Sequence, residues 1–372
     1  MKKNKSLTFI FSGGRKERLN LDSNYAKDFF YGYFGFDNSE FDTDIVQITH
    51  KKLFIINFLD RLLKKISNFP IALSSIFNDT FKIKIKDSDI VLLVNESVMF
   101  YSLPYIYFLK KRKKDIKIGL FTMGLFSNFS NNKLKNTVQQ FIVKKICFKS
   151  IDQFLFLGKG EYEQAVRTFG NEKTKFNFVP FGIDTKFWRC EDSNSLKNKE
   201  YLLFVGNDLN RDYEFLKKLV KSMYDYEFII LTSRLSKNEL NFKNVKIYEG
   251  MWWNNVYSDT EIKELYKKAI LTVVPLKESL QPSGQSVTLQ SMSMGTPVLI
   301  TKTNGFWDKE KFEDETNIFF IEKNDVSLWK TKIENTINDQ AKLNRVSKNG
   351  KLLVNENYNL DTFTSKIKSV IS

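Results

Sequence analysis

The sequence predicts an α/β protein of two Rossmann-like domains facing a central cleft. Three observations predict it: short apolar runs alternate with helical stretches from end to end, the chain has 372 residues, and one polar, aperiodic segment divides it near the middle. That length is too great for one small core and suits two, since domains run to roughly 100 to 200 residues. Hydrophobic residues make up 42% and charged residues 27%, with 6 Pro and 16 Gly, so collagen-like and disordered classes are excluded.

The β-like runs of the first half are Leu7–Phe11, Ile45–Thr49, Ile90–Val94, Ile118–Phe121, Phe154–Leu157 and Phe176–Val179. The second half repeats the rhythm with Tyr201–Val205, Glu227–Leu231, Val245–Tyr248, Leu271–Val274, Val298–Thr301 and Ile318–Ile321. Several are unbroken apolar runs, as parallel strands covered on both faces require. Helical periodicity lies between them, as in Asp212–Met223, Thr260–Ala269 and Ser286–Met294. Cys190 to Lys199 is polar and lacks any period, so the linker is expected at 190–199, between a first domain at 1–189 and a second beginning at 200. Ligands of open parallel sheets bind at the carboxyl ends of strands, so chemistry is sought in those loops.

The apolar run before Gly13-Gly14 is too short for a signal-peptide core and reads as a first strand. The best membrane-span candidate, Val98 to Leu109, holds Ser102 and Pro104 and falls short of the roughly 18 apolar residues a span needs. Two cysteines, Cys147 and Cys190, make no disulfide framework or metal spacing with the sole histidine, His50, which points to a reducing cytoplasm.

The formal net charge is +15, and residues 1–190 hold 32 of the 58 Lys and Arg but only 18 of the 43 Asp and Glu. The basic runs are Lys51-Lys52, Arg61 with Lys64-Lys65, Lys110 to Lys114, and Lys144-Lys145, each beside apolar or aromatic residues. Nucleic acid, an anionic membrane surface and solvated helix faces compete as explanations. No zinc finger, RRM-type signature or RGG segment is present, so nucleic acid is not expected. Aromatic residues flanking lysine clusters favour a peripheral site on the inner face of the cytoplasmic membrane.

The most informative stretch runs from Thr272 to Thr301: a strand, a polar loop, Ser283-Gly284-Gln285-Ser286 opening a helix, Gly295 closing it, and a second strand. Free N–H groups at a helix start, beside a glycine without a side chain, form a seat for a phosphate. Gln290 lies one turn after Ser286 on the same face, where its amide could hydrogen-bond a ribose diol. The plainer reading is that Ser286 caps a helix and Gly295 ends it.

Leu289-Gln-Ser-Met-Ser-Met-Gly-Thr-Pro-Val298 resembles the glycine- and proline-bearing helix end of the retaining GT-B glycosyltransferases of family four, the "glycosyl transferases group 1". Phe178-Val-Pro-Phe-Gly-Ile-Asp184 is similar to that family's hinge strand. Leu203-Phe-Val-Gly206 with Arg211-Asp-Tyr213 is similar to its diphosphate-gripping segment, and Asn244 to Gly250 to the stretch that passes the nucleotide base. Asn357-Tyr358 and Phe363 resemble the C-terminal helices, so the second domain is expected at 200–345, with 346–372 crossing back to the first.

The resemblance implies a nucleotide-sugar donor, UDP-sugar favoured, held by Gly13, Gly14, Gly206, Arg211, Gly250, Ser283, Gly284, Gln285, Ser286, Val287 and Gln290. It makes Arg211 the group that stabilises charge building on the leaving diphosphate, since a guanidinium binds two phosphate oxygens and stays protonated. Arg15, Thr122, Met123 and Gly124 fall on the acceptor side. Two features depart from the family: Pro282 and Gln290 stand where it has glutamates, and Met123 about where it has a histidine. Glu278 is the candidate to supply the missing carboxylate. No cofactor and no divalent metal are expected, the acceptor being a diacylglycerol or a lipid-linked glycan. The departures keep a second reading open, a catalytically idle homologue that binds sugar nucleotide or glycan and recruits a partner.

Overall fold

In the computed structural model, residues 4–20, 24–36, 39–49, 54–112, 115–127, 129–190, 199–250 and 257–372 are described. His50, Lys51-Lys52, Lys113-Lys114 and most of the expected linker lie outside them. The chain divides into two compact units. The first comprises Met1–Asp22, Phe30–Val179 and Thr364–Ser372; the second comprises Ser23–Phe29 and Pro180–Phe363.

The first unit is built on a parallel sheet of β1 (Lys5–Phe11), β2 (Phe41–Gln47), β3 (Ile90–Leu93), β4 (Lys117–Thr122), β5 (Gln153–Phe156) and β6 (Phe176–Phe178), in the order β2-β1-β3-β4-β5-β6. Helices cover it, so its central strands are buried throughout: all four residues of β3 are inaccessible or nearly so. The Val98–Leu109 run lies within a helix, Glu96–Arg112, whose Val98, Met99, Leu103 and Ile106 pack into this core. Among the described residues no helix is long and apolar enough to cross a membrane.

The second unit holds β7 (Tyr201–Val205), β8 (Phe228–Leu231), β9 (Val245–Tyr248), β10 (Ala269–Val274), β11 (Val298–Thr301) and β12 (Phe319–Ile321), again all parallel, in the order β12-β11-β10-β7-β8-β9. This is the strand order of a dinucleotide-binding Rossmann sheet, which reverses between β7 and β10. Three of its helices start where short polar side chains accept the first free amides: Asp212 from Phe215, Ser258 from Glu261 in a capping box, and Asp325 from Leu328. Leu202, Phe204, Leu219, Phe228, Ile230, Val273, Leu299 and Trp329 form the core between sheet and helices.

Three boundaries differ from the sequence-based expectation. The division falls at Val179/Pro180, inside the segment with hinge resemblance, so 180–189 stay with the second unit; there Trp188 is buried and its ring meets Tyr266 edge-on. The expected boundary at 345 cuts a continuous helix, Gln340–Asn357, whose apolar stripe of Leu343, Val346 and Val354 keeps it whole. The next helix, Leu360–Ile371, begins in the second unit and passes to the first at Thr364. The short segment Ser23–Phe29, remote in sequence, also belongs to the second unit.

Candidate functional site: an anion seat at the strand-order reversal

A cavity of about 430 Å³ opens in the second unit at the carboxyl ends of β7 and β8, β7 being one of the two strands between which the order reverses, with residues 286–290 on another wall. That is the size and place of a nucleotide-type ligand site in a sheet of this order. Every lining residue belongs to the second unit, among them Gly206, Asn207, Arg211, Gly250, Ser286, Val287 and Gln290.

Arg211 sits at its floor, 2% exposed. The backbone fixes it: Arg211 pairs with Leu276 as an isolated antiparallel bridge, Asp212 N donates to Pro275 O at 3.0 Å, and Lys277 N donates to Asn210 O at 2.8 Å. The guanidinium then passes between two glycines. A methyl at Gly206 would collide with Arg211 Nε, and one at Gly284, which stands at φ +79°, would lie 2.9 Å from Arg211 Nη1. Those two positions are glycine because the guanidinium occupies the space a side chain would take.

Within the protein that guanidinium is underused. Nη2 lies 3.5 Å from Asp208 Oδ2, while buried Nε and Nη1 have no hydrogen-bond partner among the described residues. A buried N–H left unmatched is unfavourable by about 1 to 3 kcal/mol, and more for a charged group. Beside it the helix Gln285–Ser293 begins at Gly284 in a left-handed conformation, and no side chain caps it. Its N-terminus is therefore open, with Ser286 and Val287 on the cavity wall. Ser286 is not the cap; it lies within the first turn. Unmatched guanidinium N–H groups and an uncapped helix start converge on one place, which is the chemistry of a phosphate seat.

The far wall is held by Asn207. Its Oδ1 accepts from Ser233 N at 2.6 Å and Thr232 Oγ1 at 3.1 Å, and its Nδ2 donates to Gly250 O at 3.0 Å, so one side chain ties together the ends of β7, β8 and β9. Arg234 Nε donates to Asn207 O at 3.0 Å and also lines this end.

Residues 190–353 match the family described as glycosyl transferases group 1. That match takes in most of the second unit, and the chain as a whole has the GT-B fold. Among solved structures, HepE of Anabaena in complex with UDP-glucose superposes with a TM-score of 0.69 at 10% identity, over 98% of this chain and 98% of that one. Sucrose-phosphate synthase from Thermosynechococcus elongatus gives 0.67 at 13% identity, covering 99% and 98%. A glycosyltransferase from Rickettsia africae gives 0.66 at 12% identity, also covering 99% and 98%. At such identities the likeness is one of fold. No curated protein sequence matches the chain.

Gly206, Arg211, Gly250, Ser286, Val287 and Gln290, six of the residues named as donor-site candidates, line this one cavity. Ser283, Gly284 and Gln285 do not line the cavity but immediately precede Ser286, which does, and Ser283 Oγ accepts from Asn210 Nδ2 at 2.7 Å. Glu278 is elsewhere: it does not line the cavity, and its Oε1 accepts from Asn304 N at 3.0 Å.

The remaining candidates lie at the carboxyl edge of the first unit's sheet. Gly14 takes a left-handed φ of 91° after β1, and Arg15 is buried with its guanidinium over the Phe11 ring, so desolvation pushes its pKa down to about 10. A methyl at Gly13 would meet open space, so no close backbone approach explains that glycine. Thr122, Met123 and Gly124 lie at the end of β4 and just beyond it. Two carboxylates, Glu96 partly buried and Glu161 fully buried, hold their loop: Glu96 accepts from Met123 N at 2.5 Å and Leu125 N at 3.2 Å, and Glu161 accepts from Phe126 N at 2.8 Å. Burial pushes both carboxyls upward, and the nearby Glu96 charge raises Glu161 further. Among the described residues no three His, Cys, Asp or Glu side chains gather as metal ligands.

Sequence reading missed Glu96, Glu161 and Asn207, and also Ala26 and Phe29, which line the cavity from the Ser23–Phe29 segment. Only Asn207 carried a signal, as the polar residue directly after Gly206 at a strand end.

Proposed function

We propose that this protein is a glycosyltransferase that transfers, with retention, the sugar of a UDP-sugar to a hydroxyl of a membrane-associated acceptor, a diacylglycerol or a lipid-linked glycan. The single observation that carries the donor half is Arg211, buried with Nε and Nη1 unmatched beside the uncapped helix start at Gly284. A diphosphate accepts from both at once. As the glycosidic bond breaks, charge grows on the leaving phosphate, and preorganised donors that already point there stabilise it without further rearrangement. The departing phosphate oxygen takes the acceptor proton, so no histidine is required at Met123. Arg211 and the amides supply the neutralising charge in place of a divalent metal, and EDTA is expected to leave turnover unchanged. That HepE was crystallised with UDP-glucose supports uracil as the base.

The acceptor half is supported by a helix that faces the wrong way for a water-soluble surface. In Phe54–Ser67 the most exposed apolar residues are Phe54 at 91%, Ile55 at 74% and Phe58 at 63%, with Leu62 and Ile66 continuing the ridge at i+4 spacing. Its inward face is partly polar: Asp60 accepts from Leu73 N at 2.7 Å and Ser74 Oγ at 3.2 Å. The helix Lys133–Ile142 packs beside it and adds exposed Leu134 and Phe141, while Arg61, Lys64 and Lys65 on the first helix, Lys133 on the second and Lys144 just after it are exposed. Apolar side chains in the acyl boundary and lysines at acidic headgroups, at about 1 kcal/mol each, suit an anionic bilayer.

Thermal shift against UDP-, GDP- and ADP-sugars tests the donor, because a ligand that binds only the folded chain raises its stability. A response to none of them overturns the reading. Release of UDP on adding an acceptor distinguishes transfer from mere binding. Co-sedimentation with vesicles tests the surface: binding is expected to need anionic lipid, and indifference to lipid charge rules the membrane part out.

A further inference from the structure

The helix Gln285–Ser293 carries glutamine at 290, where the resemblance calls for glutamate. The Ser23–Phe29 segment supplies a physical reason. Asp28 from that segment is wholly buried within the second unit, and its three hydrogen-bond partners among the described residues are all donors. Its Oδ1 accepts from Asp184 N at 2.5 Å; its Oδ2 accepts from Trp188 Nε1 at 2.7 Å and from Gln290 Nε2 at 2.7 Å. Backbone and indole N–H groups can only donate, so the group among them must be an acceptor, which a carboxylate is on both oxygens.

Consequences for Gln290 follow from the same inventory. Its amide nitrogen must face Asp28, and its Oε1 is thereby turned to the other side, where it accepts from Tyr266 Oη at 3.2 Å. One N–H and one lone pair of the amide remain uncommitted to these partners, and Gln290 lines the cavity. A glutamate at 290 would set two carboxylates within hydrogen-bond distance in a site hidden from water, an arrangement that forces one of them to keep a proton.

We infer that Asp28 is a positioning residue of the donor site: it locks the Gln290 amide in the one orientation that leaves an N–H and a carbonyl lone pair for the ribose diol. Asp28 and Gln290 are thus a matched pair in which the negative charge has moved off the helix onto a segment 262 residues away. The inference rests on the donor reading above and deepens it.

The test is a double-substitution cycle of Asp28→Asn, Gln290→Glu and both together, read by UDP affinity, by KM for the donor against kcat, and by melting temperature without ligand. Gln290→Glu alone is expected to weaken UDP binding by about tenfold or more and to raise donor KM more than it lowers kcat, since about 1.4 kcal/mol separates each tenfold. Adding Asp28→Asn is expected to recover at least about threefold of that loss, because the amide introduced at position 28 can donate to the carboxylate introduced at position 290. The ligand-free melting temperatures are expected to show the same partial rescue. Additive melting effects overturn the pairing itself, and wild-type UDP affinity in Gln290→Glu overturns the positioning role. If the unaltered chain takes up no UDP while the melting cycle still shows rescue, the donor reading has failed although the pair is real, and the positioning role falls with it.

Discussion

Replacing Arg211 with methionine should separate function from stability. In the ligand-free chain the guanidinium is 2% exposed, two of its three nitrogens lack partners among the described residues, and the one ion pair found there is at 3.5 Å to Asp208, a half-exposed residue. An ion pair with so exposed a partner contributes at most about 1 kcal/mol. Each unmatched buried N–H opposes folding by about 1 to 3 kcal/mol. Methionine is unbranched and flexible enough to follow the same channel between Gly206 and Gly284. The balance favours the variant by about 1 to 5 kcal/mol in the absence of ligand, and its melting temperature should rise. Donor binding should move the other way. Two charge-assisted hydrogen bonds to a diphosphate, at about 1.5 to 3 kcal/mol each, correspond to a loss of roughly a hundredfold to ten-thousandfold in kcat/KM. Differential scanning calorimetry with and without UDP, alongside steady-state rates of UDP release, measures both arms. A variant that melts lower than the parent and still binds UDP would refute the reasoning, because Arg211 would then be a structural cation already satisfied by the fold.

Gly284→Ala places a methyl 2.9 Å from Arg211 Nη1 at a backbone φ of +79°, so UDP affinity measured by calorimetry should fall by about tenfold or more, and wild-type affinity would remove the close approach. Phe54→Ser with Phe58→Ser removes two exposed rings from the outward ridge and should weaken binding to anionic vesicles by at least about tenfold while leaving melting temperature and UDP affinity unchanged. Burial pushes the Asp28 carboxyl up to about 7, with the neighbouring Asp184 charge adding to the rise and three donated N–H groups opposing it; an unfolded aspartate titrates near 4. The folded chain therefore holds this proton more tightly. The group's contribution to stability is complete below about pH 4 and is lost as pH rises through about 7. Asp28→Asn should flatten that part of the pH dependence in chemical denaturation, and an unaltered slope would show that Asp28 titrates normally. Burial likewise pushes the Cys147 thiol up to about 12, so alkylation near neutral pH should proceed only as the chain unfolds.

Much of the second unit was legible because its signals are local. Tyr201–Val205 and Val298–Thr301 are strands with the same ends in sequence and structure, since an apolar run bounded by polar residues has few other ways to bury itself, and Val245–Tyr248 keeps its ends as an alternating edge strand. Gly284 was legible as a glycine opening a helix after a strand, whereas Arg211 was named through the family resemblance of the segment after Gly206. Glu278 shows the limit. Proximity in sequence to the loop suggested a replacement carboxylate, but the chain turns it to the amide of Asn304 instead. The helix Phe54–Ser67 shows it differently. Its amphipathic pattern states that one face is apolar and is silent on which way that face points; the inward bonds of Asp60 decided that.

By itself, then, the sequence determined two Rossmann-like sheets and a glycine at a helix start suited to an anion, because those features arise from side-chain alternation, turn chemistry and helix ends; Arg211 came from the family resemblance. Only the tertiary structure decided that Asp28, Ala26 and Phe29 complete a site formed mainly by residues beyond 180, and that the glutamine at 290 answers a carboxylate from near the amino terminus. Such a pairing spans 262 positions of chain and leaves no periodic mark, since hydrogen-bond complementarity between two side chains is a property of where they meet and not of where each stands in the sequence.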